Sequence, residues 1–455
     1  MNKTYLLKNG LIITGDGSSF QGHVLFNREI QLVTDTMPAV PAGVKEIDCS
    51  GLIVRPGGID IHTHFDLIIS PGLRTIESIS SGTYGALKGG ITMVGDFATQ
   101  VHGQSLIDCY EQRLKQMKED SKCKYYLHLA VTDWKQDSYD QIAYLMKKYG
   151  LQSIKLFTTY KERGYDSNYA LIHEALRKSR DMNYLVMIHC EHNDIIEYHQ
   201  NRMRQDDTMK EMEKFKYSRP SLAEALAVNN VCYLNSRAGG NLYIVHASTP
   251  EAVRLISQYR ADNTEAKFYA ESCPQYFLLD DRVFLKENGH LFTSQPQLKS
   301  SEEKKELYRM VLQGDIDILA TDNCAFSRKD KVAGLKEGFA KIPAGIPGTQ
   351  FLLPITFSAL VQQGGLSPEQ WVNMTSSRQA EIFHIKDTGL IRKGLSADIT
   401  VFDPDIQWEI TEQDLESGAD WSPYTGMKIR GKVQATFLSG KLCFSEERFQ
   451  QGAAN

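Results

Sequence analysis

The sequence lacks several features that would place it in a specialised class of protein. It has no C-x-x-C pair, and its eight cysteines are scattered over 455 residues, which is typical of reduced thiols and not of a disulfide framework. It has no long basic run and a formal net charge of −5, so neither nucleic acid nor a membrane is expected as a partner. No stretch approaches the roughly 20 apolar residues of a membrane span, and the first residues lack the apolar core of a secretory signal. These absences predict a cytoplasmic location.

What the sequence does contain is a repeated alternation of short apolar runs with longer amphipathic segments. Segments such as NYALIHEALRKSRDM have the length and polar–apolar spacing of a helix, and they follow short strand-like runs. A strand followed by a helix, repeated about eight times over about 330 residues, is typical of a (β/α)₈ barrel of the TIM type. The strand-like runs after the first one are GITMVGDFA, YYLHLAVTD, SIKLFTTY, YLVMIHCE, NLYIVHAS, AKFYAESC and IDILATDN.

Both ends of the chain have a different texture, with short β-like runs broken by glycine, aspartate and proline. YLLKNGLII and GLIVRP lie near the start, and ADITVFDPD and MKIRGKVQATFLSGKLCF lie near the end. We expect residues 1–55 and 386–455 to form one small β-sandwich domain from both termini, and residues 56–385 to form the catalytic barrel.

A pair of histidines stands at the end of the first barrel strand, in the segment GGIDIHTHFD. His62 and His64 are two residues apart, so in a strand their side chains point to the same face. The chain has 12 histidines, so a chance His-x-His pair in an exposed strand is the alternative interpretation. Two imidazoles cannot complete the coordination shell of a catalytic ion, so a metal site requires further ligands elsewhere.

Further polar residues stand at the ends of later strands, where the active site of such a barrel lies. Lys155 is inside SIKLF, and a lysine in an apolar strand carries a desolvation cost unless it is paired or neutralised. His189 ends LVMIH, His246 ends LYIVH and Asp322 ends DILATD. Each alone has a structural alternative, such as a hydrogen-bonded histidine or a helix N-cap aspartate. Their recurrence at successive strand ends, together with the histidine pair, predicts a metal site.

This set of side chains suits a metal-dependent hydrolase. Neutral imidazoles and a carboxylate are good ligands for divalent zinc. Two metals held about 3.5–4 Å apart can share a bridging hydroxide and polarise a carbonyl. Lys155 as an ammonium has only donors, but addition of carbon dioxide to its amine gives an anionic carbamate that can bridge two ions. We therefore expect two divalent ions per chain, with zinc as the first choice and manganese or cobalt as alternatives.

The motifs that carry these residues follow one another in the order seen in a known enzyme family. Over nearly its whole length the sequence resembles the amidohydrolase superfamily, and within it the hydantoinase/dihydropyrimidinase family of cyclic amidohydrolases. The resemblance implies that the small-molecule substrate is a hydantoin or dihydropyrimidine ring, opened to an N-carbamoyl amino acid, and that the protein is a homo-oligomer, a tetramer or a dimer. The matching segments are GGIDIHTHFD, GTYGALKGGITMVGDFATQ, SIKLFTTYK, IHCEHND, YSRPSLAEALAV, IVHAST, ESCPQYFLLDD, TDNCAF, FAKIPAGIPG, GLIRKGLSADITVFDP and SPYTGMKIRGKV.

The resemblance also implies a role for each candidate residue. Asp322 serves as the general acid/base, which moves a proton from the hydroxide to the leaving amide nitrogen. Tyr160 matches the tyrosine that stabilises the developing oxyanion. Ser294 and Ala344 match positions that hold the amide edge of the substrate, largely through main-chain groups. The implied metal ligands are His62, His64 and Asp322 for the more buried ion, His189 and His246 for the second ion, and Lys155, as N6-carboxylysine, for the bridge.

Three segments depart from the family pattern and leave the ring substrate open. Gln295–Lys299, QPQLK, stands where relatives commonly have Pro-Pro-Leu-Arg, and Ala344 stands where they have asparagine. The loop FDLIISPGLRTIES after the histidine pair is also unusual. Hydrolysis of another cyclic amide or imide, as in allantoinase or dihydroorotase, is therefore an alternative. A non-catalytic scaffold is the third interpretation, and the complete set of ligand positions argues against it.

Overall fold

The computed structural model describes residues 3–40, 42–446 and 449. Among these residues no helix combines the length and the hydropathy needed to cross a membrane. The strands in chain order are β1 Tyr5–Ile13, β2 Ser19–Phe26, β3 Ile30–Thr34, β4 Lys45–Asp48, β5 Ile53–Pro56, β6 Gly58–Thr63, β7 Ile68–Ser70, β8 Leu73–Arg74, β9 Ile91–Thr99, β10 Lys124–Ala130, β11 Ser153–Phe157, β12 Leu185–His189, β13 Asn241–Ile244, β14 Lys267–Ser272, β15 Ile318–Leu319, β16 Ile399–Glu409, β17 Lys428–Leu438 and β18 Lys441–Ser445.

Helices fill most of the chain between the strands from β6 onward. π-Helical turns at Phe357–Gln363 and Asn373–Ser377 extend α12 and join α13 to α14. The α-helices are α1 Ile79–Lys88, α2 Leu106–Asp120, α3 Ser138–Tyr149, α4 Tyr169–Met182, α5 Asn193–Arg204, α6 Glu211–Tyr217, α7 Ser221–Ala238, α8 Pro250–Asp262, α9 Pro274–Leu278, α10 Ser301–Gln313, α11 Arg328–Glu337, α12 Leu352–Thr356, α13 Pro368–Val372 and α14 Arg378–Ile382. Short 3₁₀ turns lie at Lys161–Arg163, Asp281–Leu285, Gly289–Phe292, Phe339–Lys341, Thr349–Phe351 and Glu412–Asp414.

Eight parallel strands form the barrel, in which β6 pairs with β9 and the strands β9 to β15 follow in chain order. The ring closes where β15 meets β6. There the His64 amide donates to the Asn323 carbonyl at 2.7 Å, and Thr63 forms a parallel bridge with Asn323. Each strand-like run of the sequence is a strand of this barrel, so the predicted (β/α)₈ fold is confirmed.

The local sequence explains how the helices cover the barrel, and α4 is a clear case. Asn168 caps its first turn by accepting a hydrogen bond from the Leu171 amide, and Asn183 ends it in the left-handed conformation. Its buried residues recur at helical spacing and therefore lie on one face, which packs toward the core. These buried residues are Ile172, Ala175, Leu176 and Ser179.

The two chain ends share one mixed sheet with the order β18–β17–β16–β5–β1–β2–β3, and β4 pairs with β1. The ring of Tyr5 on β1 lies 5.1 Å from that of Phe437 on β17, although two strands separate β1 from β17 in the sheet. The sheet must therefore curl over its own core, as in a sandwich, because three flat inter-strand spacings would span about 14 Å. The β-sandwich domain built from both termini is thus confirmed, whereas its boundaries at 55/56 and 385/386 stay a prediction.

The junction between the two units fixes the start of the strand that carries the histidine pair. Only Gly57 separates β5 from β6, and its amide donates to the Asp398 carbonyl of the terminal sheet at 2.9 Å. A Cβ atom at Gly57 would lie 2.1 Å from the Thr92 hydroxyl, so a larger residue would push β6 away from β9. The close approach at this glycine therefore helps to set the position of β6 in the barrel.

Candidate active site

The structure brings the candidate ligands together at the carboxyl ends of the barrel strands, where catalytic residues of this fold are placed. They lie on, or shortly after, the strands β6, β11, β12, β13 and β15. Together they line one cavity of about 440 Å³. The six residues are His62, His64, Lys155, His189, His246 and Asp322.

The first group in this cavity consists of His62, His64 and Asp322. The Nε2 atoms of both histidines lie 3.2 Å from Asp322 Oδ1, and one ligand atom from each of the three residues lies within 4.8 Å of the others. His62 is buried, and burial lowers its pKa well below the ordinary value, so its imidazole is neutral. Two imidazole nitrogens and a carboxylate oxygen therefore converge, and this donor set can bind a divalent ion.

The second group is the pair His189 and His246. His189 Nδ1 lies 3.0 Å from His246 Nε2, and burial lowers the pKa of both imidazoles. The ring centre of His246 lies 5.5 Å from that of His62, so this pair adjoins the first group. Two neighbouring sets of nitrogen donors suit two adjacent ions.

Lys155 projects from β11 into the same cavity and is only 2% exposed. Its Nζ lies 5.5 Å from the ring centre of Phe97 and 5.6 Å from that of Phe157. No carboxylate in the described part of the chain forms an ion pair with it, and burial lowers its pKa to about 8. The free amine, which is the form that adds carbon dioxide, is therefore more populated than in an exposed lysine.

Two buried glutamates that the sequence analysis did not single out hold the histidines in place, and the first is Glu271 on β14. It accepts hydrogen bonds from His62 Nδ1 at 2.7 Å, from the His246 amide at 2.9 Å and from the Tyr243 hydroxyl at 2.7 Å. A proton on Nδ1 of His62 leaves the lone pair of Nε2 directed toward Asp322. Glu271 thus selects the tautomer that a metal needs.

Glu191 acts in the same way on His189. Its Oε2 lies 2.7 Å from His189 Nε2, which leaves Nδ1 facing His246. Arg219 donates to Glu191 through Nε at 2.9 Å and through a second nitrogen at 2.5 Å. Burial opposes ionisation of Glu191, but the Arg219 guanidinium and the hydrogen bond from His189 outweigh it and lower the pKa of this carboxyl. The sequence hints at this role of Glu191 only by its position, two residues after His189 and just past the end of β12.

We expect Glu271→Gln to weaken metal binding about 10- to 100-fold, the usual effect of removing a carboxylate behind a ligating histidine. Dialysis of the variant against a graded series of chelator concentrations, followed by elemental analysis, measures this change. Glu119→Gln is the matched control, since Glu119 is exposed on α2 and does not line the cavity. Equal metal retention in the two variants would contradict the role given to Glu271.

Three candidate residues have a strained backbone. Tyr160, His246 and Asp322 have φ values of 68°, 39° and 52°, in the left-handed region that non-glycine residues rarely adopt. Such strain costs on the order of 1–3 kcal/mol per residue, and it persists where the surrounding structure imposes it, often at functional sites. The occurrence of strained residues at three of these strand ends indicates that the surrounding structure holds these side chains in fixed positions.

Tyr160 follows β11 and lines the cavity beside the histidine pair. Its ring centre lies 4.9 Å from that of His189. Burial raises the pKa of its phenol, so the hydroxyl stays protonated as a donor. No acceptor for this hydroxyl is found among the described residues, and it is therefore available to a substrate oxygen.

Ser294 and Ala344 lie on two segments that meet at the cavity. Ala344 lines it directly, whereas Ser294 is buried and its hydroxyl donates to the Pro296 carbonyl at 2.9 Å. The side chain of Ser294 is thus already engaged, which leaves its main-chain groups for a substrate. In the departing segment, Gln297 Nε2 donates to the Arg219 carbonyl at 3.0 Å and so ties this segment to the Glu191 pair.

A fully buried lysine holds these two segments together. Lys331 Nζ donates to the carbonyls of Thr293 and Pro343, both at 3.0 Å, and to the Thr293 hydroxyl at 2.9 Å. Thr293 and Pro343 directly precede the two candidate substrate-binding residues. Lys331 therefore holds the main chain directly before Ser294 and Ala344, a role that no local pattern in the sequence indicates.

The donor set fits divalent metal ions. His62 Nε2 is buried and makes no hydrogen bond with the described residues, and a metal ion would satisfy it. One histidine of each group, His62 and His189, has its opposite ring nitrogen held by a glutamate, which is the usual arrangement around catalytic zinc. The residues present are therefore compatible with the metal centre that the sequence pattern predicts.

Comparisons with known proteins agree with this site. The amidohydrolase family model matches residues 53–443. The D-phenylhydantoinase of Escherichia coli O127:H6 is 31% identical over 451 residues, which cover 98% of this chain and 95% of that protein. The D-hydantoinase of Geobacillus stearothermophilus is 28% identical over 98% of this chain and 94% of its own length. The crystal structure of dihydropyrimidinase from Brevibacillus agri NCHU1002 is 28% identical and aligns with a TM-score of 0.91, covering 96% of this chain and 94% of that chain. The chain belongs to the amidohydrolase family and, within it, to the hydantoinase/dihydropyrimidinase group.

Proposed function

We propose that this protein is a metal-dependent cyclic amidohydrolase that opens a hydantoin or dihydropyrimidine ring to an N-carbamoyl amino acid. The observation that carries the proposal is the cluster of four histidines, a lysine and an aspartate in one cavity. This cluster lies in a chain that matches a D-hydantoinase over 98% of its length. Ring opening of this kind is the hydrolysis of a carbon–nitrogen bond in a cyclic amide.

The proposed metal ligands form two adjacent sites. Lys155, as N6-carboxylysine, would contribute an oxygen to each site. Zinc is the preferred ion for these donors, with manganese or cobalt as alternatives. When bound, divalent ions activate water and polarise the amide carbonyl. The first site comprises His62, His64 and Asp322, and the second comprises His189 and His246.

Two residues would carry the remaining chemistry. The Asp322 carboxylate takes a proton from the attacking water and returns it to the leaving amide nitrogen. The Tyr160 hydroxyl donates a hydrogen bond to the carbonyl oxygen as negative charge develops there. The main chain at Ser294 and Ala344, held by Lys331, would orient the amide edge of the ring.

We expect active protein to contain two divalent ions per chain. Five histidine and carboxylate ligands around one carboxylated lysine provide donors for two sites and leave open positions for water and substrate. Elemental analysis of purified, active protein measures the metal content. A value clearly below one ion per chain in fully active protein would contradict the two-metal centre.

A substrate panel tests the function itself. Purified protein loaded with zinc is expected to open at least one of hydantoin, 5-phenylhydantoin and dihydrouracil, and dihydroorotate and allantoin complete the panel. Ring opening is measured as a loss of ultraviolet absorbance or by chromatography of the N-carbamoyl product. Activity on allantoin or dihydroorotate alone would favour the alternative ring amides, and no activity on any of the five would contradict the proposed function.

We infer a cytoplasmic homo-oligomer, a tetramer or a dimer, that acts on a small cyclic ureide. The scattered cysteines favour a reducing compartment, and the seven buried ones are all unpaired. Light scattering at micromolar concentration is expected to give a mass of at least two chains.

A further inference from the structure

Away from the candidate metal ligands, the cavity has an apolar wall and three charged side chains. The β7–β8 hairpin contributes an apolar wall through Leu67, Ile68 and Leu73. Three charged side chains, Glu162, Arg163 and Lys341, line the cavity with it, and they carry a formal sum of +1. These charged side chains have no role in the ligand set or in the proton transfer described above.

The backbone after β11 places Arg163 beside the candidate oxyanion tyrosine. A single 3₁₀ turn, Lys161–Arg163, follows Tyr160, and the Arg163 amide donates to the Tyr160 carbonyl at 2.9 Å. Tyr160 and Gly164, which flank this turn, both have left-handed backbones, with φ of 68° and 69°. The turn therefore folds back on itself, and the Arg163 guanidinium lies 5.2 Å from the centre of the Tyr160 ring.

The Arg163 guanidinium is not paired with a carboxylate of the described residues. Arg219, the other arginine near the Tyr160 ring at 5.7 Å, is neutralised by Glu191. Within residues 3–40, 42–446 and 449, neither Arg163 nor Lys341 forms an ion pair with a carboxylate. The Arg163 side chain is exposed and lines the cavity, so the fold has not already buried its charge and a bound molecule can approach it.

We propose that Arg163 is the binding site for a carboxylate on the side chain of the ring substrate. The inference rests on the proposed function and adds a substrate class to it, namely cyclic amides that carry a short acidic substituent. Because the amide carbonyl would lie against Tyr160 and the guanidinium lies over the same ring, the carboxylate is separated from the scissile amide by only a few bonds. A guanidinium can accept a carboxylate through two parallel hydrogen bonds, which gives orientation as well as attraction.

The test compares two substrates that differ only in charge. Wild-type protein is assayed on 5-(carboxymethyl)hydantoin and on its neutral amide, 5-(carbamoylmethyl)hydantoin. We expect a lower KM for the acid, and we expect Arg163→Gln to raise that KM about 10-fold while changing kcat little, since it removes a contact made equally in the ground and transition states. The KM for the amide is expected to change less than about twofold, and added salt should reduce the preference for the acid.

Lys161→Gln is the matched control, because Lys161 is an exposed cation of the same turn and its loss should leave the preference for the acid intact. Equal KM values for acid and amide in the wild type would overturn the inference, as would an equal effect of Arg163→Gln on both substrates. The latter result would indicate that Arg163 binds the carboxylate released by ring opening, which both substrates produce. If 5-phenylhydantoin is hydrolysed but the acid is not preferred, only this inference fails. If no hydantoin is hydrolysed, the proposed function itself fails.

Discussion

Lys155→Ala is expected to lose both bound metal and activity, with kcat/KM falling by about 10⁴-fold or more because every step depends on the assembled centre. The lysine is buried among the candidate ligands and forms no ion pair with a described carboxylate, so alanine removes the proposed bridge without breaking a structural ion pair. Elemental analysis and a ring-opening assay on the same preparation measure the two losses.

Chemical rescue separates the carbamate from other roles of this lysine. Short carboxylic acids supplied with bicarbonate are expected to restore part of the activity of Lys155→Ala, because they can occupy the position of the missing carbamate. Lys155→Arg should not restore activity, since a guanidinium keeps its charge and is not carboxylated. Lys161→Ala, a change at an exposed lysine, serves as the control. Turnover near the wild-type level in Lys155→Arg would end the carbamate hypothesis.

Asp322→Asn is expected to lower kcat roughly 10²- to 10⁴-fold, the usual contribution of general acid–base catalysis, while much of the metal is retained. Asparagine keeps the size of the side chain and one coordinating oxygen, but it cannot accept and return a proton at neutral pH. Metal content, KM and kcat are measured on one preparation, with Asp120→Asn as the control because Asp120 is exposed at the end of α2.

The two other outcomes for Asp322→Asn have distinct meanings. Retention of most of the kcat would mean that the proton moves through another group. Complete loss of metal would mean that the carboxylate acts mainly as a ligand, which its 3.2 Å contacts with both His62 and His64 also allow. Only a low kcat with metal and substrate binding preserved supports the proton-transfer role.

The neighbour of Asp322 does not line the cavity, yet it is a poor control position. Strand alternation predicts that Asn323 points away from the site and that Asn323→Ala costs far less than Asp322→Asn. The structure instead buries Asn323, whose Nδ2 donates to Glu77 and whose Oδ1 accepts from the Gly348 and Thr349 amides at 2.7 and 3.2 Å. Its replacement would leave buried partners unsatisfied, so it is not a suitable control.

Local patterns in the sequence suffice to predict the barrel, the terminal sheet and the position of the candidate ligands along the strands. Apolar runs of strand length alternate with helix-length segments, and this local periodicity suffices to place strand ends in order. The barrel then brings all strand ends to one face, which is why His62 and Asp322 could be expected together although 260 residues separate them.

The polar residues that support those ligands are set by contacts between segments far apart in the chain. Glu271 reaches His62 across 209 residues, and Lys331 reaches Thr293 across 38, through contacts that no periodicity encodes. A buried charge is costly unless partners lie within hydrogen-bonding distance, and the partners of Glu271 and Lys331 come from other strands and loops. The candidate ligands could therefore be predicted from the sequence, whereas their orientation depends on packing between segments that are distant in sequence.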